Sequence, residues 1–100
     1  MAVDRLTFAI DFDNTITAEP LLFANFIEDC KNLGHKVIVV TARRDTEENF
    51  DEVKSWLLEN GIRAAVYYSS LRSKTELMKA RGIKVDIWID DDPHSLVNGY

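Results

Sequence analysis

Four apolar runs, separated by stretches with helical spacing, constrain the fold of this chain more than any other feature. The runs lie near residues 6–11, 36–41, 64–69 and 85–90. The second run contains Val37-Ile38-Val39-Val40, with no polar alternation. Strands that are apolar on both faces are typical of parallel sheets covered by helices on both sides. The sequence therefore predicts an α/β fold, and a length of 100 residues predicts one domain over residues 1–100.

Helical periodicity fills the gaps between the apolar runs. We predict helices over residues 20–33, 46–60 and 74–81. Asp45 and Glu48 resemble a capping box at the start of the second helix, and Ser73 and Glu76 form a Ser-x-x-Glu box at the start of the third. Strand and helix therefore alternate along the whole chain.

Polar side chains follow the predicted strands at the edge where parallel sheets bind ligands. These side chains are Asp11 and Asp13 after the first strand, Thr41 at the end of the second, Lys74 after the third, and Asp90 and Asp91 after the fourth. Burying several carboxylates together is costly unless a cation balances them. The pattern therefore predicts a metal site at this edge.

Phosphoryl transfer is the chemistry that suits these residue types. Asp11 is placed to act as a nucleophile that forms a covalent aspartyl-phosphate. Asp13 could protonate the leaving group and later deprotonate a water molecule. The Thr41 hydroxyl could bind a phosphoryl oxygen, and Lys74 could supply a fixed positive charge. An all-oxygen ligand set favours Mg²⁺ as the metal.

Four segments, taken in order, resemble the motifs of the haloacid dehalogenase-like (HAD) phosphohydrolases. They are Asp11-Phe12-Asp13-Asn14-Thr15, Val40-Thr41-Ala42-Arg43, Lys74 and Ile89-Asp90-Asp91. The resemblance covers about residues 6–92. It implies a three-layer Rossmann-like parallel sheet with strand order 4-1-2-3 and helices on both faces. It also implies an aspartyl-phosphate intermediate and Mg²⁺ bound by the Asp11 carboxylate, the Asp13 backbone carbonyl and one of Asp90 or Asp91.

Substrate binding is expected from the residues that surround the motif acids. These residues are Asn14, Thr15, Thr41, Ala42, Arg43 and Lys74. Arg43 could meet a second phosphate on the substrate, or could form a surface pair with Arg44. Lys79 and Lys84 are alternatives to Lys74 as the lysine of the site.

The chain departs from the family pattern in having no room for a cap domain or for a hairpin flap after the first motif. Only about five residues separate Asn14 from Pro20. We therefore expect a capless protein with an open cleft. Small capless members of the family include phosphatases that act on nucleotides and on polynucleotide ends. The expected partner is thus a small phosphorylated substrate, such as a nucleotide or a nucleic-acid end.

Composition excludes several other classes. The net charge is −5 with no basic run, which argues against general nucleic-acid binding and against binding to membrane surfaces. No apolar stretch approaches the ~18 residues of a membrane span, and no signal-peptide pattern is present, so we expect a cytoplasmic protein. Cys30 is the only cysteine and has the spacing of a core residue rather than a catalytic thiol.

Two alternative functions stay open from the sequence. One is a signalling receiver that accepts phosphate on an aspartate, although receivers place the acid pair first and the lysine last. The other is a catalytically silent module that binds phosphate or metal. The fourth strand is predicted at a sheet edge with Trp88 partly exposed, which raises the hypothesis of a homodimer that covers the site.

Overall fold

The computed structural model describes residues 4–99. Its strands are β1 (Thr7–Ile10), β2 (Lys36–Thr41), β3 (Ala65–Tyr68) and β4 (Ile87–Ile89). Its helices are α1 (Pro20–Asn32), α2 (Glu47–Glu59), α3 (Lys74–Ala80) and α4 (His94–Val97), with a short 3-10 turn at Ile16–Ala18. The predicted alternation of strand and helix is confirmed, and α4 and the 3-10 turn are additions to it.

The four strands form one parallel sheet with the order β3-β2-β1-β4. Read from the other edge, this is the predicted order 4-1-2-3. In register, Ile10 lies between Val39 of β2 and Ile89 of β4. The polar residues that follow these strands therefore meet at one edge of the sheet.

Two apolar layers lie on opposite faces of the sheet, because successive strand side chains point to opposite sides. One layer packs α1 and α2 against the sheet through Ile27, Val53 and Leu57. The other layer packs Met78 of α3 against Ala9, Ile38 and Val40. The three-layer arrangement is thus an observed property of the fold.

Capping residues explain where two of the helices begin. Ser73 caps α3 by accepting a hydrogen bond from the Glu76 backbone N–H, as predicted. The prediction that Asp45 and Glu48 form a capping box at the start of α2 is wrong by one residue. Thr46 is the cap, because its backbone is extended and its hydroxyl accepts the Asn49 N–H at 3.2 Å.

β3 and β4 are shorter than the runs predicted over residues 64–69 and 85–90. Just before β4, the Asp86 carboxylate accepts the Thr7 backbone N–H at 2.8 Å, so a side chain replaces part of the strand ladder there. β4 is an edge strand, and Trp88 is half-buried, as expected.

Within residues 4–99, the segment between β1 and α1 holds only the 3-10 turn, and five residues join β3 to α3. No cap domain or hairpin flap is inserted at either place in this part of the chain. None of the helices described in residues 4–99 is long and apolar enough to cross a membrane.

Candidate functional site

Asp11 lies at the centre of the site, directly after β1. Its backbone N–H donates to the Ile89 carbonyl of β4, which ties the end of β1 to the segment that carries Asp90. The Lys74 ammonium lies 2.9 Å from one Asp11 oxygen and 2.6 Å from an Asp90 oxygen. The Lys74 side chain is only 1% exposed. We call Lys74, Asp11 and Asp90 the Lys74 cluster.

Local structure holds each member of the Lys74 cluster in place. Lys74 is the first residue of α3, next to the capping residue Ser73, whose hydroxyl also donates to the Leu96 carbonyl of α4 at 2.9 Å. Asp90 accepts the Asp92 backbone N–H at 2.9 Å. The hydroxyl oxygen of the fully buried Ser95 lies 3.3 Å from an Asp90 oxygen and 2.8 Å from the Asp92 carbonyl oxygen. The helix pair α3 and α4 therefore fixes the cluster from one side of the sheet.

A metal ion would fit three carboxylates in this region. One oxygen each of Asp11, Asp90 and Asp91 can be chosen so that all three lie within 4.8 Å of one another. Thr15 lies between two of them, with its hydroxyl 3.3 Å from oxygens of both Asp11 and Asp91. Three carboxylates with one ammonium leave two formal negative charges when ionised, and the donors are all hard oxygens. A divalent cation such as Mg²⁺ matches both properties.

Without a bound cation, burial makes the negatively charged form of Asp11 energetically unfavourable. The pKa of Asp11 is raised from 3.8 to about 7, chiefly by burial and next by its hydrogen bond with Asp91. Lys74 opposes this rise because its positive charge favours the carboxylate. A cation bound among the three carboxylates would, like Lys74, lower the pKa of Asp11.

Asp13 points to a second, more exposed ion-pair cluster. Arg43 donates from Nε and Nη2 to the two Asp13 oxygens, each at 2.9 Å, and its Nη1 lies 3.2 Å from a Glu52 oxygen of α2. The hydrogen bonds to Asp13 are the main cause of a raised Arg43 pKa, so the guanidinium stays charged. We call Arg43, Asp13 and Glu52 the Arg43 cluster.

A cavity of about 360 Å³ opens between the two clusters. It is lined by Asp11, Asp13, Asn14, Ala42, Arg43, Leu71, Asp91 and Asp92. Asn14 has a left-handed backbone (φ 61°), and its N–H donates to the Thr17 hydroxyl at 2.9 Å. The chain therefore turns at Asn14, the last residue of this segment that lines the cavity.

Of the predicted substrate contacts, Asn14, Ala42 and Arg43 line the cavity, whereas Thr15, Thr41 and Lys74 are buried and are not part of its lining. Thr41 shows what such a buried residue does. It is fully buried, and its hydroxyl accepts the Arg43 backbone N–H at 3.2 Å. The cavity wall at this point is formed by Ala42 and Arg43. Thr41 thus supports the turn that presents Arg43, and its contact with a phosphoryl oxygen stays a prediction.

The structure distinguishes the three lysines that the sequence offered. Lys74 is buried in its cluster, whereas Lys79 is exposed on α3. Lys84 is 88% exposed and lies 3.6 Å from Asp86, before β4. Only Lys74, of these three, contacts the acids that follow β1 and β4.

Ser95 and Glu52 belong to the site but escape the sequence reasoning. Ser95 supports Asp90 from the segment after Pro93, where the sequence shows only turn residues. Glu52 is one of many acids on α2, and its spacing gives no sign that it contacts Arg43. The role of the Asp13 backbone carbonyl in metal binding also stays a prediction.

Comparisons with protein-family models, curated proteins and solved structures find no significant match to this chain.

Proposed function

We propose that this protein is a Mg²⁺-dependent phosphomonoester hydrolase that acts through a phosphorylated Asp11. The observation that carries the proposal is the environment of Asp11. It lines an open cavity, contacts a buried lysine at 2.9 Å and belongs to a group of three carboxylates able to hold a metal. A nucleophilic carboxylate beside fixed positive charge is the arrangement that phosphoryl transfer requires.

The reaction proceeds in two steps that conserve atoms and protons. An Asp11 oxygen attacks phosphorus, the bond from phosphorus to the alcohol oxygen breaks, and protonated Asp13 gives its proton to that oxygen. Water then attacks the phosphorus of the aspartyl-phosphate and gives a proton to the Asp13 carboxylate. The bond from phosphorus to Asp11 breaks, which releases phosphate and restores both aspartates.

Lys74 assists by its fixed position. Its ammonium is held by Asp11 and Asp90, so it lies beside the Asp11 carboxylate before substrate arrives. Positive charge already in place costs no reorganisation during the reaction. Mg²⁺ bound by Asp11 with Asp90 or Asp91 would supply further charge stabilisation for the phosphoryl oxygens. We extend the metal proposal to the backbone carbonyl of Asp13.

The substrates to screen first are small phosphomonoesters, including nucleotides and phosphorylated polynucleotide ends. The cavity is open, so a large leaving group can extend from it into solvent. The single cationic side chain that lines the cavity in the described part of the chain is Arg43.

Hydrolysis of 4-nitrophenyl phosphate tests the proposal, measured with Mg²⁺ and with EDTA. We expect metal-dependent turnover that Asp11→Asn lowers by at least about 10³-fold, since a covalent nucleophile is lost. Asp51→Asn is the matched control, because Asp51 is an exposed aspartate on α2. Equilibrium binding of Mg²⁺ without turnover of any phosphomonoester would instead support a silent metal-binding or receiver-like module.

A further inference from the structure

Arg43 is bound on three sides before any substrate arrives. Two of its nitrogens contact both oxygens of Asp13 at 2.9 Å. Its third nitrogen lies 3.2 Å from Glu52 and 3.4 Å from the Asn49 side-chain oxygen, both on α2. Its guanidinium carbon also lies 5.3 Å from the centre of the Phe12 ring. The guanidinium is therefore fixed by α2 on one side and by Phe12 and Asp13 of the first motif on the other.

Asp13 has no comparable support of its own. Its side chain is 46% exposed, and Arg43 is its only hydrogen-bond or ion-pair partner within residues 4–99. A carboxylate this exposed samples several rotamers unless something holds it. Two parallel N–H···O bonds from one guanidinium fix the plane of a carboxyl group, which a single donor cannot do.

The backbone of Arg43 is anchored as firmly as its side chain. Its N–H donates to the Thr41 hydroxyl at 3.2 Å, and its carbonyl accepts the Ser70 N–H at 3.1 Å. The ends of β2 and β3 thus hold the backbone, while α2 holds the guanidinium. Of the two carboxylates that contact the guanidinium within residues 4–99, Asp13 lines the cavity and Glu52 does not.

We propose that Arg43 is a positioning residue that orients the Asp13 carboxyl group for proton transfer, and that Glu52 of α2 holds the Arg43 guanidinium in place. The inference rests on the proposed function, because it assigns the orientation of the group that protonates the leaving oxygen. It differs from a role for Arg43 in binding a second substrate phosphate. In the first step the proton passes from Asp13 to the alcohol oxygen as the bond to phosphorus breaks, and Arg43 takes no part in bond making.

The choice of leaving group distinguishes positioning from substrate binding. A 4-nitrophenolate ion leaves without a proton, whereas the alkoxide of glycerol 3-phosphate must be protonated as it leaves. Loss of the orienting residue should therefore harm hydrolysis of the alkyl ester and spare the nitrophenyl ester. The value of kcat/KM is the one to compare, because it reports the steps up to release of the alcohol.

The experiment measures kcat/KM for both esters with Arg43→Gln, Arg43→Lys and Glu52→Gln in the full chain with Mg²⁺. For Arg43→Gln we expect at least about a 30-fold loss with glycerol 3-phosphate, within the range that acid catalysis contributes, and less than about 3-fold with the nitrophenyl ester. Arg43→Lys should not restore the alkyl ester, since lysine keeps the charge but lacks the paired donors. Glu52→Gln should give a smaller loss in the same direction.

Arg44→Gln is the matched control, because Arg44 is exposed and its side chain makes no hydrogen bond or ion pair in the described residues. It should change both values by less than about 2-fold, as expected for an exposed side chain. The ratio of the two esters, measured on one sample, does not depend on how much of a variant is folded.

Equal losses on both esters would overturn the inference and assign Arg43 to binding of the transferred phosphoryl group. Full rescue by Arg43→Lys would also overturn it, because charge alone would then suffice. If the wild-type protein hydrolyses neither ester, the proposed function itself fails, and this result is distinct from any change in the ratio.

Discussion

The two ion-pair clusters on either side of the cavity differ mainly in their contact with water. In the Lys74 cluster the side chains of Lys74, Asp90 and Asp11 are 1%, 2% and 9% exposed. In the Arg43 cluster the side chains of Arg43 and Asp13 are 22% and 46% exposed, and Glu52 is 65% exposed. The first cluster lies against α3 and α4, and the second lies against α2.

This difference assigns different physical roles to similar contacts. Water screens the Lys74 cluster only weakly, because its side chains are at most 9% exposed, so removal of one member leaves the buried charges of the others without compensation. Water screens the Arg43 cluster, where an ion pair contributes little to stability but still fixes a direction. We therefore expect the Lys74 cluster to govern stability and metal affinity, and the Arg43 cluster to govern orientation.

The largest effect on stability is expected from Lys74→Met. This change keeps most of the apolar side chain but leaves Asp11 and Asp90 without their cation. We expect the free energy of unfolding to fall by about 4 kcal/mol, as when one partner of a buried pair is removed. Urea denaturation measures it, with Lys79→Met on the exposed face of α3 as the control. A loss below about 1 kcal/mol would show that the cluster is screened by water.

Stability without metal should depend on pH through Asp11. Its pKa is about 7 in the folded protein and 3.8 when unfolded, so the folded state holds an extra proton between these values. This contribution is fully present below pH 3.8 and is lost as pH rises to about 7.

The change is on the order of 4 kcal/mol, because the pKa of Asp11 rises by about three units and each unit corresponds to about 1.4 kcal/mol. Urea denaturation of the wild-type protein and Asp11→Asn in EDTA, at pH 4 to 7, measures the difference between them. A difference that does not vary with pH would contradict the assigned environment of Asp11.

Magnesium should stabilise the protein by binding the carboxylates of Asp11, Asp90 and Asp91, so the stabilisation should not depend on the Arg43 side chain. At a concentration of 100 times its Kd, a ligand that binds only the folded state adds about 2.7 kcal/mol. Thermal denaturation with and without Mg²⁺ should show this gain in the wild-type protein and in Arg43→Gln. Asp91→Asn should reduce it, because one of the three carboxylates is removed. Equal stabilisation of all three proteins would place the ion elsewhere.

The smallest effect is expected from Arg43→Gln on stability. The pair with Asp13 is partly exposed, so its loss should lower the free energy of unfolding by no more than about 1 kcal/mol. Urea denaturation next to Arg44→Gln measures the difference. A loss as large as that of Lys74→Met would remove the distinction between the two clusters.

The sequence predicts the fold well because the fold depends on patterns that repeat along the chain. The apolar runs predict the parallel strands and the capping residue Ser73 predicts the start of α3, whereas the strand order is what the resemblance to the HAD phosphohydrolases implies. The start of α3 also predicts the position of Lys74, since Lys74 is the first residue after the cap. The sequence places Asp11 and Asp90 together because parallel strands end at one edge of the sheet.

The rest of the site depends on contacts between distant residues that leave no periodic pattern in the sequence. Arg43 and Glu52 meet only because the turn after β2 and one face of α2 lie side by side. Ser95 reaches Asp90 through α4, a four-residue helix too short to have an apolar pattern. The hydrogen bond that the Thr41 hydroxyl accepts within its own turn is also local geometry that no pattern in the sequence shows, and its contact with a phosphoryl oxygen stays a prediction.

Chemical trapping of the intermediate tests the central claim most directly. The protein is mixed with Mg²⁺ and a phosphomonoester that it hydrolyses, quenched during turnover and treated with borohydride, which reduces an acyl phosphate to an alcohol. Peptide mapping by mass spectrometry should then find homoserine at position 11 and unmodified aspartate at position 13. Trapping at any other aspartate, or turnover with no modified aspartate, would contradict the assignment of Asp11 as the nucleophile.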